Sequence, residues 1–142
     1  MLDCVFCKIA AGELPATKIY EDAQFVAFLD IRPVQPGHVL IIPRSHYENL
    51  TATPAVIVGR FFQLAQKIAS AVIQGTGADG CNMTMNNGRA AGQVVFHTHI
   101  HIIPRKDDDG LGTWPQLEYQ GNAMQEVAEN IKSALKVLDL RS

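Results

Sequence analysis

Three histidines stand at alternate positions in GQVVFHTHIHIIPR, residues 92–105. Side chains on a β-strand alternate between two faces, so His97, His99 and His101 are predicted to project from one face. Neighbouring positions would then lie about 7 Å apart and the outer two about 13 Å apart. A straight strand cannot bring three such rings to one metal ion. The histidines are therefore expected to divide their roles, because packing alone gives no reason to bury a row of groups that titrate near neutral pH.

A glycine-punctuated turn, NNGRAAGQ, leads directly into the histidines. Such a turn can present successive backbone N–H groups to an anion, for which phosphate is the natural candidate. Asn86 and Gln93 add uncharged amide donors beside it. The alternative is an ordinary hairpin loop, since Asn and Gly are common in loops. Adjacency to the histidines favours the anion site.

A second group with possible chemistry is the pair Cys4 and Cys7. Two thiolates within one helical turn can bind one zinc ion, although two ligands do not complete a tetrahedron. The rival interpretation is a redox Cys-x-x-Cys motif. That motif normally opens a helix after a strand in a βαβ unit, whereas this pair stands near the start of the chain, so zinc is favoured.

The elements that must position these residues follow from the apolar patterning. A short helix is predicted at 4–12, ended by Gly12, and strands at 18–22, 25–30, 38–43, 81–86 and 94–103. A long helix is predicted to begin with Thr53 as N-cap and Pro54 as first helical residue, and to end at Gly75 and Gly77. Its apolar stripe is predicted at Ile57, Phe61, Leu64, Ile68 and Val72. A C-terminal helix is predicted at 122–138, with an apolar stripe at Met124, Val127, Ile131, Leu135 and Leu138. The fold class is α+β, with about five antiparallel strands, one long central helix and a C-terminal helix.

Composition limits the protein class. The 142 residues include 47% hydrophobic and 18% charged residues, which is typical of one globular domain over 1–142. A net charge of -2 gives no basic surface for long nucleic acid, so no nucleic-acid partner is expected. We expect no membrane span, because no apolar run approaches the ~20 residues that one needs, and no signal peptide is apparent. The expected location is cytoplasmic, with no membrane partner.

These motifs together resemble the histidine triad (HIT) superfamily. HTHIHII matches its His-x-His-x-His pattern, and NNGRAAGQ and FLDIRPVQPGHVLIIPRSH, residues 28–46, resemble its other blocks. The resemblance covers residues 4–105. It implies a HIT-like fold that pairs into a homodimer and binds purine nucleotides, such as AMP or GMP derivatives. It also implies cleavage of the bond between the α-phosphorus and a leaving group.

The resemblance assigns roles to the phosphate-facing residues. His99 would be the nucleophile that forms a covalent nucleotidyl-imidazole intermediate, with a backbone carbonyl fixing its tautomer. His101 would contact the α-phosphate or help to protonate the leaving group. The backbone amides around Gly92, Gln93 and Val94, together with the side chains of Asn86 and Gln93, would stabilise charge on the phosphoryl oxygens.

The same resemblance assigns the nucleoside end and the metal. Asp30 would accept hydrogen bonds from the ribose hydroxyls. The apolar slot for the base would be formed by Phe6, Ile9, Phe28 and Ile31, although core packing is an almost equal alternative for Phe6, Phe28 and Ile31. Some bacterial relatives complete a Cys2His2 zinc site with the residues that correspond to Cys4, Cys7, His46 and His97. Such a closed site would be structural.

Several alternatives stay open. Many relatives carry Ser or Thr where this chain has Val94, so rate or leaving-group preference is expected to differ. The leaving group is an amine, as in nucleoside phosphoramidates, or a nucleotide, as in dinucleoside polyphosphates. The competing functions are a nucleotidylyltransferase and a zinc-containing nucleotide-binding interaction module with little turnover. His38 is interpreted as structural, and Trp114 either packs on the surface or reaches a partner subunit's site.

Overall fold

The computed structural model describes residues 3–139. The chain divides into two compact units, Met1–Asp109 and Gly110–Ser142. The prediction of a single domain over 1–142 therefore stays a prediction. The elements of the first unit are α1 Val5–Ala11, β1 Lys18–Glu21, β2 Phe25–Leu29, β3 Val39–Pro43, α2 Ala55–Thr76, β4 Gly80–Thr84 and β5 Ile100–Arg105. Short 3₁₀ helices occupy Leu50–Ala52 and Arg89–Ala91, and the second unit contains α3 Ala123–Asp139.

The five strands form one antiparallel sheet in the order β1-β2-β3-β5-β4. Because side chains alternate along each strand, the sheet has two apolar faces. One face packs against α2, through Phe25, Ala27, Val39, Ile41, Ile100 and Ile102. The other packs against α1, through Val26, Phe28, Leu40 and Ile42. The predicted α+β architecture with five antiparallel strands is confirmed.

Helix α1, Val5–Ala11, lies within one residue of the predicted 4–12 at each end. The Cys4 Sγ caps its start by accepting the Cys7 backbone N–H at 3.4 Å. Gly12 ends it with φ of 78°, a left-handed conformation that glycine adopts without strain. Phe6, Ile9 and Ala10 are buried against the sheet. The cap residue is thus also one of the two cysteines singled out for metal binding.

Strand β5 is shorter than the predicted strand over 94–103, because it begins only at Ile100. Its neighbour β3 ends at Pro43, which has no N–H to continue the ladder. The Thr98 N–H donates instead to the Tyr47 carbonyl at 2.7 Å. His97 and His99 therefore lie in an irregular segment, and His101 alone of the three histidines lies on the strand.

Helix α2 differs from prediction at its start. Pro54 is the N-cap residue rather than the first helical residue, and the Thr53 hydroxyl donates to the Asn49 carbonyl. The helix continues through Gly75 and ends at Gly77. The predicted apolar stripe is buried at Phe61, Leu64, Ile68 and Val72.

Helix α2 also corrects the expectation that no apolar segment approaches the length of a membrane span. By length and composition alone, Ala55–Thr76 is long and apolar enough to cross a membrane. One such helix is weak evidence of membrane insertion. The stripe that packs against the sheet accounts for part of its apolar character.

The second unit contains α3, whose bounds lie within one residue of the predicted 122–138. Its predicted stripe is present, and all five members are exposed: Met124, Val127, Ile131, Leu135 and Leu138. Trp114 is also 83% exposed.

Candidate active site

Two of the three histidine rings, those of His99 and His101, are adjacent on the α1 side of the sheet. His101 pairs with Leu40, which belongs to the α1-side cluster. The ring centroid of His99 lies 4.9 Å from that of His101 and 5.1 Å from that of Phe6 on α1. His97 instead packs its ring edge-on against His46, at 5.0 Å. The rings therefore have different neighbours, and the segment that carries them is not a straight strand.

His99 is held in one tautomer by its own chain. Its Nδ1 lies 2.7 Å from the carbonyl oxygen of His97. A carbonyl only accepts, so Nδ1 carries the proton and Nε2 keeps its lone pair. Burial lowers the pKa of His99, which favours the neutral ring near pH 7. This is the state that a nucleophilic imidazole needs, with the tautomer-fixing carbonyl that the resemblance implied.

His101 is oriented by His38, a residue that the sequence analysis treated as structural. The Val34 N–H donates to His38 Nδ1 at 3.1 Å, so the His38 proton is on Nε2. That N–H donates to His101 Nδ1 at 2.9 Å, which leaves the His101 proton on Nε2. Burial lowers the pKa of both rings, to about 4 for His101. His101 thus offers a neutral N–H donor near His99, and no sequence pattern linked these two histidines.

One cavity of about 700 Å³ gathers most of the predicted nucleotide-binding residues. Its walls include all the candidates for the base slot, the ribose and the phosphate except Gln93: Phe6, Ile9, Phe28, Asp30, Ile31, Asn86, Gly92, Val94, His99 and His101. Further lining residues that the sequence analysis did not single out include Val5, Leu14, Pro15, Ala16, Arg32 and Val95. The volume suits a small-molecule ligand.

The apolar end of the cavity is built by α1 and β2. Phe6 and Phe28 meet edge to face with centroids 5.8 Å apart, and both belong to the buried cluster while also lining the cavity. Core packing and ligand contact are therefore compatible for these two residues. Ile31 is 92% exposed, so it lies at the rim rather than in a closed slot.

Asp30 stands beside the histidines with one oxygen already engaged. Its Oδ1 accepts the Arg32 backbone N–H at 2.8 Å, which fixes the carboxylate. Its Oδ2 lies 3.7 Å from His38 Nε2, too far for a good hydrogen bond. Because Asp30 lines the cavity, this second oxygen can accept hydrogen bonds from a ligand.

The glycine turn corrects the predicted role of the Gln93 side chain. Gln93 is only 3% exposed and does not line the cavity. Its Oε1 accepts the Gly88 N–H at 2.8 Å, and its Nε2 donates to the carbonyls of Glu48 and Val95. The amide is fully used inside the protein, so it fastens the turn and does not reach a phosphate.

Two of the three backbone amides that were predicted to face a phosphate are engaged inside the turn. The Gly92 N–H donates to Arg89 and the Gln93 N–H to Gly88, which corrects their predicted part in an anion cradle. Among residues 3–139, the Val94 N–H has no hydrogen-bond acceptor. Asn86 Nδ2 donates to the Gly92 carbonyl at 3.3 Å and keeps a second N–H. Of the donors predicted for a phosphate in this turn, the Val94 N–H and the second Asn86 N–H are therefore the ones left for an anion.

Four predicted metal ligands converge beside this cavity. The candidate donor atoms of Cys4, Cys7, His46 and His97 all lie within 4.8 Å of one another. His97 Nδ1 is 3.5 Å from each sulfur, and His46 Nδ1 is 3.3 Å from the Cys7 Sγ. A tetrahedral zinc with ordinary bond lengths has nitrogen-to-sulfur edges of about 3.5 Å. The spacing fits a closed Cys2His2 site.

The electrostatics of this cluster also suit a cation. His97 donates from Nε2 to the Pro43 carbonyl at 2.8 Å, which leaves its Nδ1 lone pair towards the cysteines. Burial lowers the pKa of His97 to about 4, so this nitrogen is unprotonated at neutral pH. Burial and the neighbouring Cys4 raise the pKa of Cys7, so the Cys7 thiol would ionise far more readily with a cation beside it.

A second trio, Asp30, His38 and His101, also has donor atoms within 4.8 Å of one another. The Val34 N–H on His38 Nδ1 keeps the proton on Nε2, the atom that faces the other two residues. That nitrogen has no lone pair for a metal, so the trio is better described as a hydrogen-bonded network.

Comparison with known proteins finds a matching family, related sequences and similar solved structures. The HIT domain matches residues 11–108. Over 134 residues the chain is 44% identical to adenylylsulfatase HINT3 of Arabidopsis thaliana, a match that covers 94% of this chain and 68% of the relative. It is 36% identical over 137 residues to adenosine 5'-monophosphoramidase hnt1 of Schizosaccharomyces pombe, covering 95% and 100%. A zinc-bound histidine triad family protein from Mycobacterium smegmatis superposes with a TM-score of 0.75 at 40% identity, covering 99% of both chains.

Proposed function

The chain belongs to the HIT domain family as a nucleotide-binding hydrolase, and on that basis we propose that it cleaves purine nucleoside phosphoramidates or dinucleoside polyphosphates at the α-phosphorus. The reaction uses a covalent nucleotidyl-His99 intermediate. The named activities of two relatives, an adenylylsulfatase and an adenosine 5'-monophosphoramidase, support adenosine nucleotides as the substrate class.

One observation carries the proposal: the tautomer of His99. With Nδ1 bound to the His97 carbonyl, Nε2 is an unprotonated nucleophile in a ring that lines the cavity. A neutral imidazole attacks phosphorus, and splitting the displacement into two steps avoids direct attack by water. The carbonyl also stabilises the positive charge that develops on the ring after attack.

The remaining residues act on the bound nucleotide. In the first step a bond forms from His99 Nε2 to the α-phosphorus and the bond to the leaving group breaks. In the second step water attacks the same phosphorus and His99 leaves with its lone pair restored. The His101 Nε2–H, the Val94 N–H and Asn86 donate to the phosphoryl oxygens. Asp30 accepts from the ribose hydroxyls, and Phe6 and Phe28 hold the base.

The proposed enzyme has a structural zinc ion, held by Cys4, Cys7, His46 and His97. Support comes from the tetrahedral spacing of the four donor atoms and from the zinc-bound mycobacterial relative. A closed four-ligand site adds stability rather than reactivity. It would fasten the start of α1 to the segment that carries the histidines.

The proposal includes a homodimer. Within the described residues, β4 pairs only with β5 and stands at one edge of the sheet. An edge strand offers unpaired N–H and C=O groups to a second chain. Light scattering on the purified protein would give twice the chain mass if this expectation is correct.

The test of function is intact-protein mass spectrometry after brief exposure to adenosine 5'-phosphoramidate. The wild type should gain the mass of one adenylyl group, and His99→Ala should gain none while still binding AMP. Tight binding of AMP without an adduct or product would contradict the hydrolase and favour a nucleotide-binding interaction module. Transfer of the nucleotide to an added sugar phosphate would favour a nucleotidylyltransferase.

A further inference from the structure

Three apolar side chains are exposed at the Val94 end of the candidate active site. Val94 is 85% exposed, Val5 39% and Phe96 36%. They line an adjoining cavity of about 410 Å³, together with Asp3, Cys4, His46 and Val95. Val5, Val94 and Val95 also line the cavity that contains His99 and His101, so the two spaces share a wall.

The turn that presents Val94 is fixed by internal hydrogen bonds. The buried Gln93 side chain ties it to Gly88, Glu48 and Val95. Gly92, immediately before, adopts φ of 89°, a left-handed conformation that a side chain would strain. Val94 is therefore held outward by a rigid backbone. An apolar surface of this kind beside reacting atoms is typical of a ligand-binding site.

The charges around both cavities argue against a highly anionic group. Among the described residues, Arg32 is the one Lys or Arg side chain in the two walls, and Asp3 and Asp30 are acidic. A leaving nucleotide with several phosphates would need basic side chains to offset its charge.

Resting on the proposed function, we propose that Val5, Val94 and Phe96 form a subsite for an apolar, uncharged leaving group, an alkyl or aryl amine bound to the α-phosphorus. As His99 Nε2 bonds to phosphorus, the P–N bond breaks and its electron pair stays on the amine nitrogen. That nitrogen takes up one proton from water. Hydrolysis of the intermediate then releases one proton, so the sum is phosphoramidate plus water to amine plus nucleotide.

The test compares matched adenosine 5'-phosphoramidates on the zinc-loaded full chain. Propylamine and ethanolamine differ by a methyl group for a hydroxyl, phenethylamine adds a ring, and diadenosine tetraphosphate supplies the anionic leaving group. The wild type should favour propylamine over ethanolamine by about tenfold in kcat/KM, and phenethylamine by more. Diadenosine tetraphosphate should be the poorest substrate.

Two matched variants assign the preference to the subsite. Val94→Thr and Val5→Thr keep the side-chain shape and replace one methyl group with a hydroxyl. Each should reduce the propylamine to ethanolamine ratio severalfold. Equal rates for the two amines, or a ratio unchanged in both variants, would overturn the subsite while leaving the His99 chemistry intact. Faster cleavage of diadenosine tetraphosphate would overturn it too, whereas absence of an adduct with every substrate contradicts the proposed function itself.

Discussion

His38 Nε2 lies 2.9 Å from His101 Nδ1, although 63 positions separate the two residues in the chain. Because Val34 fixes the proton of His38, this contact sets which nitrogen of His101 can donate to a ligand. The candidate active site therefore depends on a histidine outside the alternating motif.

Replacing His38 should impair turnover without removing the ligand site. His38→Phe lacks the donor, so His101 can place its proton on Nδ1 and lose its donor towards the substrate. The loss of one buried hydrogen bond predicts a fall in kcat of about tenfold to a hundredfold with little change in KM. Steady-state kinetics on an adenosine phosphoramidate measures this. His38→Gln keeps an N–H donor and should recover part of kcat, and equal kcat in both variants would argue against positioning.

Asp30→Asn should weaken recognition of ribose. The variant keeps the acceptor for the Arg32 N–H but removes the charge that strengthens bonds to the hydroxyls. We expect KM to rise about tenfold for the ribonucleotide substrate. The 2',3'-dideoxy substrate is the control, and its KM should hardly change. A matching rise for both substrates would place Asp30 outside ribose binding.

Replacing both zinc ligands on α1 should release the metal. Metal analysis should find about one zinc per chain in the wild type and none after Cys4→Ser with Cys7→Ser. The midpoint of thermal unfolding should fall by several degrees, because the metal binds only the native arrangement. Cys81→Ser is the matched control, since Cys81 lies outside the cluster. Zinc retained by the double variant would refute the assignment.

The Gln93 side chain should stabilise the fold, although it does not line the ligand cavity. Gln93→Met keeps the approximate shape but leaves the Gly88 N–H and two carbonyls without their partner. Unsatisfied buried groups predict a loss of about 2–4 kcal/mol in the free energy of unfolding, measured by urea denaturation. Gln66→Ala, at an exposed position on α2, should change it by less than about 0.5 kcal/mol. Equal losses would show that the turn does not depend on Gln93.

Stability should fall as the solution becomes acidic. The pKa of His101 is about 4 when folded, below its usual 6.5, chiefly because of burial; His99 and His38 lower it further, and Asp30 opposes the shift. The unfolded chain thus binds more protons, so this contribution is complete above pH 6.5 and is lost as the pH falls towards 4. His101→Asn should remove about 2 kcal/mol of the pH dependence after allowance for solvent screening. An unchanged slope would contradict the buried neutral ring.

The sequence predicted helices and strands well where the spacing of residues within one segment determines them. Helix α1 has a clear end at Gly12, and the apolar stripe of α2 alone indicates which side meets the sheet. The predicted start of β5 was wrong, because the start of this strand depends on Pro43, which lies on a different strand. Pattern within one segment cannot show that a neighbour lacks an N–H.

The site was predicted less completely, for a related reason. The histidines and cysteines have chemistry that their residue types already indicate. The roles of His38 and Gln93 depend instead on atoms 63 and 45 positions away, the ring of His101 and the carbonyl of Glu48. Gln93 is a residue type that can donate to a phosphate, but its side-chain amide is already hydrogen-bonded to backbone groups. Only the fold decides which polar groups remain free.

Helix α1 contributes to two sites, although it is only seven residues long. Cys4 and Cys7 reach the imidazoles of His46 and His97, while Phe6 lies in the cavity wall beside His99. A helix of two turns has little persistence of its own. The anchoring of α1 and the selectivity for the base therefore depend on the same short helix. Loss of the contacts of Cys4 and Cys7 would displace Phe6 and weaken binding of the base, even with every phosphate contact intact.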